Sequence, residues 1–345
     1  MILVGGLRPE GEETEPAQYL IPAEIPFVEL PYFESLAHPA AVLSGRSASR
    51  FWRVLDDVDV VWVFGPHPMA IVFALMAALR RRRVVLGVRQ DTVAYVRTRY
   101  PQRRALHAAS RLLEGTFRLL ARRFAVVTVG PELARSYSHA RNRLEIVVSL
   151  VAESDLVQPA GALERDYDGE LRVLSVGRLD TEKNPLLLAD VCGWLNREAP
   201  RWRLVVCGDG DLKGELAARL AELGQSDRAE LLGYVPFGEP LTAQYRSSHM
   251  LLHTSWTEGL PQVLTEAFAA GLPVVAADVG GISEAVDNAA LLVPPGDHEA
   301  AGQALRSVGA DPELRERLVR AGLDYARSHT IEAETRGLAR FLLSA

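Results

Sequence analysis

Two cysteines and two lysines in 345 residues are the sharpest shortages in this sequence. Cys192 falls in a helical pattern and Cys207 at a strand end, which argues against a disulfide framework or a cysteine metal site and fits two buried thiols in a reducing compartment. No apolar run is long enough to span a bilayer, since residues 69–79 fall short of the ~20 residues a spanning helix needs. The start, MILVGGLRPEGEE, shows no basic leader ahead of an apolar core, so the expected location is the cytoplasm, with contact at a membrane surface left open. A net charge of only -6 argues against a general nucleic-acid binder. Internal repeats and low-complexity segments are missing too.

What remains is the composition of a soluble globular protein, 48% hydrophobic and 24% charged, long enough for two domains. Short apolar runs at residues 2–4, 27–30, 59–64, 84–88 and 125–129 read as strands, and helical patterns follow three of them, at 69–79, between 89 and 123, and from Pro131. Residues 153–169 carry mixed polar residues, Pro159 and Gly161 without a sustained period, which marks a linker. A second series then alternates: strands at 171–176, 203–207, 230–232, 251–254, 274–276 and 290–293, with helices at 185–198, 212–223, 241–247 and from Pro261 onward. Regular alternation of this kind predicts an α/β fold of doubly wound parallel sheets. We place the domains at 1–160, 161–329 and a terminal helix at 330–345.

The stretch LLHTSWTEGLPQVLTEAFAAGLPVVAA, residues 251–277, organises the second series as strand, loop, helix and strand. Glu258 lies in the loop after the strand, and Glu266 sits on the flank of the following helix's apolar stripe. Between them lie Gly259, Leu260 and Pro261, and then the expected free amides of Gln262, Val263 and Leu264. Free amides at a helix start favour phosphate, whereas carboxylates accept from sugar hydroxyls, so a nucleotide sugar suits both. The plain alternative is that Glu258 caps the helix and Glu266 is solvated. After the strand at 171–176, Gly177-Arg178-Leu179-Asp180-Thr181-Glu182-Lys183 sets two cations five residues apart at the same sheet edge. Arg178 offers a planar fork and Lys183 a point charge for a diphosphate, or they form a solvated ion pair with Asp180 or Glu182.

Glu258 to Glu266 resembles the E-x7-E motif of the retaining family 4 glycosyltransferases, also called glycosyl transferases group 1, and the likeness covers about the last two thirds of the chain. That resemblance implies the GT-B fold of two Rossmann-like domains, an acceptor-side N-terminal domain and a nucleotide-sugar-binding C-terminal one. It implies that Glu258 faces the donor sugar, Glu266 the ribose, and that Arg178 and Lys183 clamp the diphosphate without a metal or other cofactor. Leu232-Gly233-Tyr234-Val235-Pro236 resembles the segment that meets the base, where Tyr234 would stack or pack in the core. Gly208, in Cys207-Gly208-Asp209-Gly210, would let backbone approach the ligand. The pairs Asp57/Asp59 and Asp209/Asp211 have D-x-D spacing but stand before a buried strand and in a turn, so no metal site is expected.

The first half departs from the family. No long first helix is visible between Gly6 and Phe27, so a reduced N-terminal domain is expected. Where family members carry a histidine, often followed by aspartate, this chain has Arg89-Gln90-Asp91. His67, in Gly65-Pro66-His67-Pro68, is the substitute acceptor-side group, and Asp91 is the second candidate; a structural role for His67 beside its prolines stays open. Between Arg80 and Arg143 sixteen arginines face only Asp91, Glu114 and Glu132. They suggest a surface for anionic lipid or a lipid-linked acceptor, or simply a solvated basic helix. The expected activity is transfer of a sugar from a nucleotide diphosphate donor to an acceptor hydroxyl on a small molecule, glycan or lipid, with retention. A non-catalytic nucleotide-sugar-binding subunit that needs a partner, and an epimerase or hydrolase of the same fold, are the alternatives.

Overall fold

The computed structural model describes residues 1–6, 22–31, 45–197 and 200–344. The chain divides into two compact units: Met1–Val129 with Leu133–Ile146 and Gly337–Ala345, and Gly130–Glu132 with Val147–Arg336. The stretch between Gly6 and Phe27 that lacks a helical pattern lies largely outside the described residues.

The second unit is built on a parallel six-stranded sheet: β7 (Leu171–Val176), β8 (Trp202–Cys207), β9 (Ala229–Gly233), β10 (Met250–His253), β11 (Val274–Ala277) and β12 (Ala290–Val293). Its order is β12-β11-β10-β7-β8-β9. The chain adds β8 and β9 on one side of β7, then returns to place β10 on the other, so winding reverses between β7 and β10. Loops that leave the carboxyl ends of two such neighbours diverge and open a crevice. Every residue of β10 and β11 is buried, as expected for strands covered on both faces, whose sequences read as unbroken apolar runs rather than alternating ones.

One face of the sheet carries a core around Leu188, Leu204, Leu216 and Leu305, and the other a core around Leu251, Leu264, Phe268 and Tyr245. Close packing at Phe268 explains Gly322 in the helix Pro312–Ser328, where any side chain would meet the ring.

The residues read as a linker carry structure of their own. A short helix, Pro159–Leu163, buries Ala162 against Val319 and Leu323. Val157 donates its backbone N–H to the Ala269 carbonyl at 3.0 Å, and Arg165 donates to the carbonyls of Gly271 and Ala270, each at 2.6 Å. Pro159 and Gly161 signalled a break in periodicity there, but hydrogen bonds from the Val157 backbone and the Arg165 side chain to carbonyls at the end of a neighbouring helix hold the segment on the second unit.

In the first unit the parallel strands fall into two sheets, a pair of β1 (Leu3–Gly6) with β2 (Phe27–Leu30), and a set of four in chain order, β3 (Val60–Gly65), β4 (Arg83–Val88), β5 (Ala125–Val129) and β6 (Arg143–Ile146). Its core gathers Phe51, Leu55, Leu86, Phe117 and Tyr137. The helix Ile331–Ser344 ends the chain, with the Leu343 carbonyl accepting from Arg83 Nη1 at 2.6 Å.

Candidate functional site

The loops after β7 and β10 are stitched to each other through main-chain carbonyls of the first. The Trp256 N–H donates to the Glu182 carbonyl at 2.8 Å, and the Thr254 hydroxyl donates to the carbonyls of Lys183 and Asn184 at 3.0 and 3.3 Å. A one-turn 3₁₀ helix, Thr181–Lys183, ends at Asn184 in the left-handed region (φ 51°, ψ 52°), a conformation that asparagine tolerates better than most residues. This turn aims Lys183 back across the crevice.

Lys183 Nζ lies 2.5 Å from Glu258 Oε1. The same carboxylate oxygen accepts from the Ser255 hydroxyl at 2.7 Å and meets His253 Nε2 at 3.1 Å, while Ser255 Oγ is 3.0 Å from that nitrogen. Because Glu258 is an anion, the His253 nitrogen facing it carries a proton. Its other ring nitrogen, Nδ1, is buried without a partner among the described residues. Burial would raise the Glu258 pKa, but the hydrogen bond from His253 and the charge of Lys183 outweigh it and hold the pKa at about 2. Three donors converge on Oε1, and no hydrogen bond of Oε2 is found among the described residues, so the second oxygen is the one left for a ligand.

Arg178 has an exposed side chain whose guanidinium is held by two carboxylates, Asp180 and Glu182, the latter at 2.7 Å. Three acids, Asp180, Glu182 and Glu258, therefore accompany the two cations of these loops. The ion pair within the loop was one of the two sequence readings; its consequence is that the basic character of the site is largely compensated before any ligand arrives. Lys183 keeps two further N–H groups, and the Arg178 fork has five N–H donors in all, so each retains donors for a phosphate.

Glu258 does not cap the helix Gln262–Ala269, whose N-cap is Pro261 with no side-chain hydrogen bond. Of the amides expected to be free at its start, that of Leu264 donates to the Pro261 carbonyl at 3.2 Å. Those of Gln262 and Val263 have no such partner among the described residues, as proline at the cap leads the chain in without satisfying them. Glu266 is not a solvated surface group: it is half-buried, accepts from the Tyr245 hydroxyl at 2.7 Å, and has its pKa raised by burial, an effect the Tyr245 bond opposes. Tyr245 comes from the helix Glu239–Ser247 and is itself buried. Lys183 and Glu258 thus meet directly, Arg178 is tied to their loop through Glu182, and Glu266 has its hydrogen bond elsewhere, one turn into the helix.

Glycines let the other loops reach the same sheet edge. Gly208, at φ 159°, has no room for a side chain because the Gly177 carbonyl oxygen fills that space. The Gly177 N–H donates to the Cys207 carbonyl at 3.0 Å and the Gly208 N–H to the Gly233 carbonyl at 2.8 Å, which ties the ends of β7, β8 and β9. Tyr234 and Val235 follow β9 half-buried, with Val235 packed on the core. Across the sheet Gly280, at φ 60°, lies against the Glu258 carbonyl, where any side chain would collide. Trp256, 46% exposed, covers Gly296 with its ring. His253, Ser255, Tyr245 and Trp256 were not singled out in the sequence; a histidine closing an apolar strand just ahead of the loop was the available signal.

The two acceptor-side candidates of the first unit are both helix caps. His67 Nδ1 accepts from the Ala70 N–H at 3.2 Å at the start of the helix Pro68–Leu79, and burial lowers its pKa. Asp91 accepts from the Ala94 N–H at 2.9 Å at the start of Thr92–Arg99. Each follows the carboxyl end of a strand of the same sheet, β3 and β4. One acid of each D-x-D pair is engaged in an ion pair: Asp59 with Arg82 at 3.8 Å and Asp209 with Lys213 at 2.7 Å.

Residues 164–324 match the model of the family Glycosyl transferases group 1. Among curated proteins, the chain is 34% identical over 151 residues to the amylovoran biosynthesis glycosyltransferase AmsD of Erwinia amylovora, covering 44% of this chain and 42% of that protein. It is 37% identical over 306 residues to a D-inositol 3-phosphate glycosyltransferase of Nocardia farcinica, covering 86% of this chain and 62% of that one. The chain covers less than two thirds of the length of either relative. Among solved structures, Anabaena HepE in complex with UDP superposes with a TM-score of 0.72 at 18% identity, over 93% of this chain and 87% of that one. The chain therefore has the GT-B fold of two Rossmann-like units, and its residues 164–324 are a match for glycosyl transferases group 1.

Proposed function

We propose that the protein is a glycosyltransferase that moves a sugar from a nucleoside diphosphate sugar to an acceptor hydroxyl, with retention at the anomeric carbon and without a bound metal. The observation that carries this reading is the convergence of Lys183, His253 and Ser255 on one oxygen of Glu258 at the mouth between β7 and β10, which leaves the other oxygen free to accept from a sugar hydroxyl. The remaining N–H groups of Lys183 and Arg178, with the amides of Gln262 and Val263, stabilise the charge that develops on the departing diphosphate. Preorganised donors lower a barrier most where charge appears.

Glu266, fixed by Tyr245, accepts from the ribose hydroxyls, and the backbone at Gly233, Tyr234 and Val235 meets the base. HepE, of the same fold, was crystallised with UDP and with UDP-glucose, which supports a donor of this class. On the acceptor side, His67 and Asp91 serve first as caps that set the helix starts following β3 and β4, and present their remaining polar atoms to an acceptor that is a small molecule, a glycan or a lipid-linked sugar. In the terms of the resemblance, residues 1–160 form the acceptor side, 161–329 the donor side, and the helix at 330–345 returns to the first.

The test is a panel of nucleoside diphosphate sugars scored by thermal shift, since a ligand bound only by the native state raises its melting temperature. The stabilising donor is then supplied with acceptors, and the anomeric configuration of the product is read by NMR. A donor that stabilises the protein and is transferred with retention is the expected result; no stabilisation by any member, or transfer with inversion, refutes the reading.

A further inference from the structure

The helix Arg104–Ala121 of the first unit has two faces of different chemistry. Inward, Phe117 and Ala121 are fully buried, and Glu114, the helix's one acidic residue, is half-buried and accepts from the Tyr137 hydroxyl at 2.8 Å. Outward, Arg104, Arg111, Arg118 and Arg122 recur at steps of seven and four, which keeps them on one line along the helix and its C-cap. Leu112 and Leu119 run beside them, 72% and 61% exposed. Gly115 lies between the rows, and a side chain built there would meet nothing within 4 Å, so the stripe opens on free space.

A leucine pair this exposed costs the free protein apolar hydration, and scattered exposure would need no explanation. Here the two are aligned, and of the row of cations beside them only Arg118 feels an acid of the helix, the inward-facing Glu114. Arg104, Arg111 and Arg122 form no ion pair or side-chain hydrogen bond among the described residues. Helices with an apolar strip flanked by arginines lie flat in the interface of an anionic bilayer, the apolar side chains entering the acyl boundary while the guanidinium groups meet headgroup phosphates. A nucleic acid would use the arginines but gain nothing from the exposed leucines beside them. No described helix is long and apolar enough to cross a membrane, so contact would be from one side.

We propose that the outward face of Arg104–Ala121 docks on anionic lipid bilayers, with Leu112 and Leu119 inserted and Arg104, Arg111, Arg118 and Arg122 paired with headgroup phosphates. Each arginine near an anionic surface strengthens partitioning about fivefold, and the two leucines supply the part of the binding that salt does not screen. The proposal stands on this helix alone and does not depend on the transfer reaction.

The test is co-sedimentation of the full chain with vesicles of phosphatidylcholine alone and of phosphatidylcholine mixed with an equal amount of phosphatidylglycerol. The chain is expected to pellet with the mixed vesicles only, and to be displaced equally by sodium chloride and by inorganic phosphate at matched ionic strength. Leu112→Glu with Leu119→Glu should weaken that binding at least tenfold, and Arg104→Gln with Arg111→Gln and Arg122→Gln similarly. Both sets change exposed side chains, and an unaltered circular dichroism melt verifies the fold. Absence of pelleting with mixed vesicles overturns the proposal, as does a leucine variant that pellets like wild type. So would displacement by phosphate far beyond matched chloride, which means an anion pocket, or a dimer in light scattering that the leucine variant dissociates without any vesicle binding, which means a second copy covers the face.

Discussion

Lys183 and Glu258, seventy-five residues apart in sequence, form an ion pair with Nζ 2.5 Å from Oε1 at the reversal point of the six-stranded sheet. Neither side chain is fully solvated, at 28% and 11% exposed. Removal of one partner of a fully buried pair costs about 3–5 kcal/mol; with Lys183 partly solvated and His253 and Ser255 still donating to Glu258, Lys183→Ala should cost about 1–2 kcal/mol of stability. Transfer should fall far more, by roughly 10²–10³, because a donor aimed at the leaving diphosphate is lost. Glu258→Gln keeps the shape and removes the charge. Kinetics and chemical denaturation of both single variants and the double variant measure the coupling, and additive effects on stability would refute the pairing.

The depressed pKa of Glu258 makes stability depend on acid. Its folded value, about 2, lies below its usual 4.5, so the carboxylate contributes stability that is present above pH 4.5 and lost as pH falls toward 2. Integrated over that window the contribution is on the order of 3 kcal/mol. Glu266 has the opposite sign: burial raises its pKa, so it favours the fold below its usual range and that contribution is lost as pH rises through the folded value. Glu258→Gln should therefore flatten the acid limb of melting temperature against pH, whereas Glu266→Gln should leave that limb in place and raise stability at neutral pH. An unchanged acid limb in Glu258→Gln would show that the cluster does not hold the carboxylate charged.

Tyr245 and Glu266 show where the sequence stopped short. The spacing of Glu266 from Glu258, the helix between Pro261 and Gly271, and the strands on either side were legible, because an apolar run, a proline and a glycine announce them locally. That Glu266 is held by a tyrosine was not, since Tyr245 lies on an unremarkable polar helix, EPLTAQYRS, whose inward face is set only by packing on the sheet. His67 and Asp91 were singled out for chemistry, and the structure adds a local role to each. Each stands directly before a helix, at the place where a polar side chain caps free amides, and that local reading accounts for the contacts they make. The structure of the segment read as a linker was not legible, because its hydrogen bonds go to distant carbonyls at Ala269, Ala270 and Gly271, which periodicity does not reveal.

Tyr245→Phe removes one hydroxyl and leaves the half-buried Glu266 carboxylate without its partner. An unsatisfied buried polar group costs about 1–3 kcal/mol, so a loss of that size is expected in denaturant unfolding at neutral pH. Donor binding should weaken with little change in kcat, because the proposed role of Glu266 is ribose recognition in ground and transition states alike. The double variant Tyr245→Phe with Glu266→Gln should recover stability relative to Tyr245→Phe, as the uncompensated charge is gone. Failure to recover would mean that Tyr245 acts through packing alone.

His253 offers the sharpest separation of structure from chemistry. It is buried, and its Nε2 faces both Glu258 and Ser255. His253→Ala deletes that donor and opens a cavity, so stability, transfer and the acid limb set by Glu258 should all suffer. His253→Gln keeps an N–H within reach of the carboxylate, and should restore the acid limb and most of the transfer rate even where the melting temperature stays lowered by imperfect packing. If both variants lose transfer equally while the acid limb of His253→Gln matches wild type, the imidazole contributes more than position. If both keep wild-type transfer, the orientation of Glu258 is set by Lys183 and Ser255 without it.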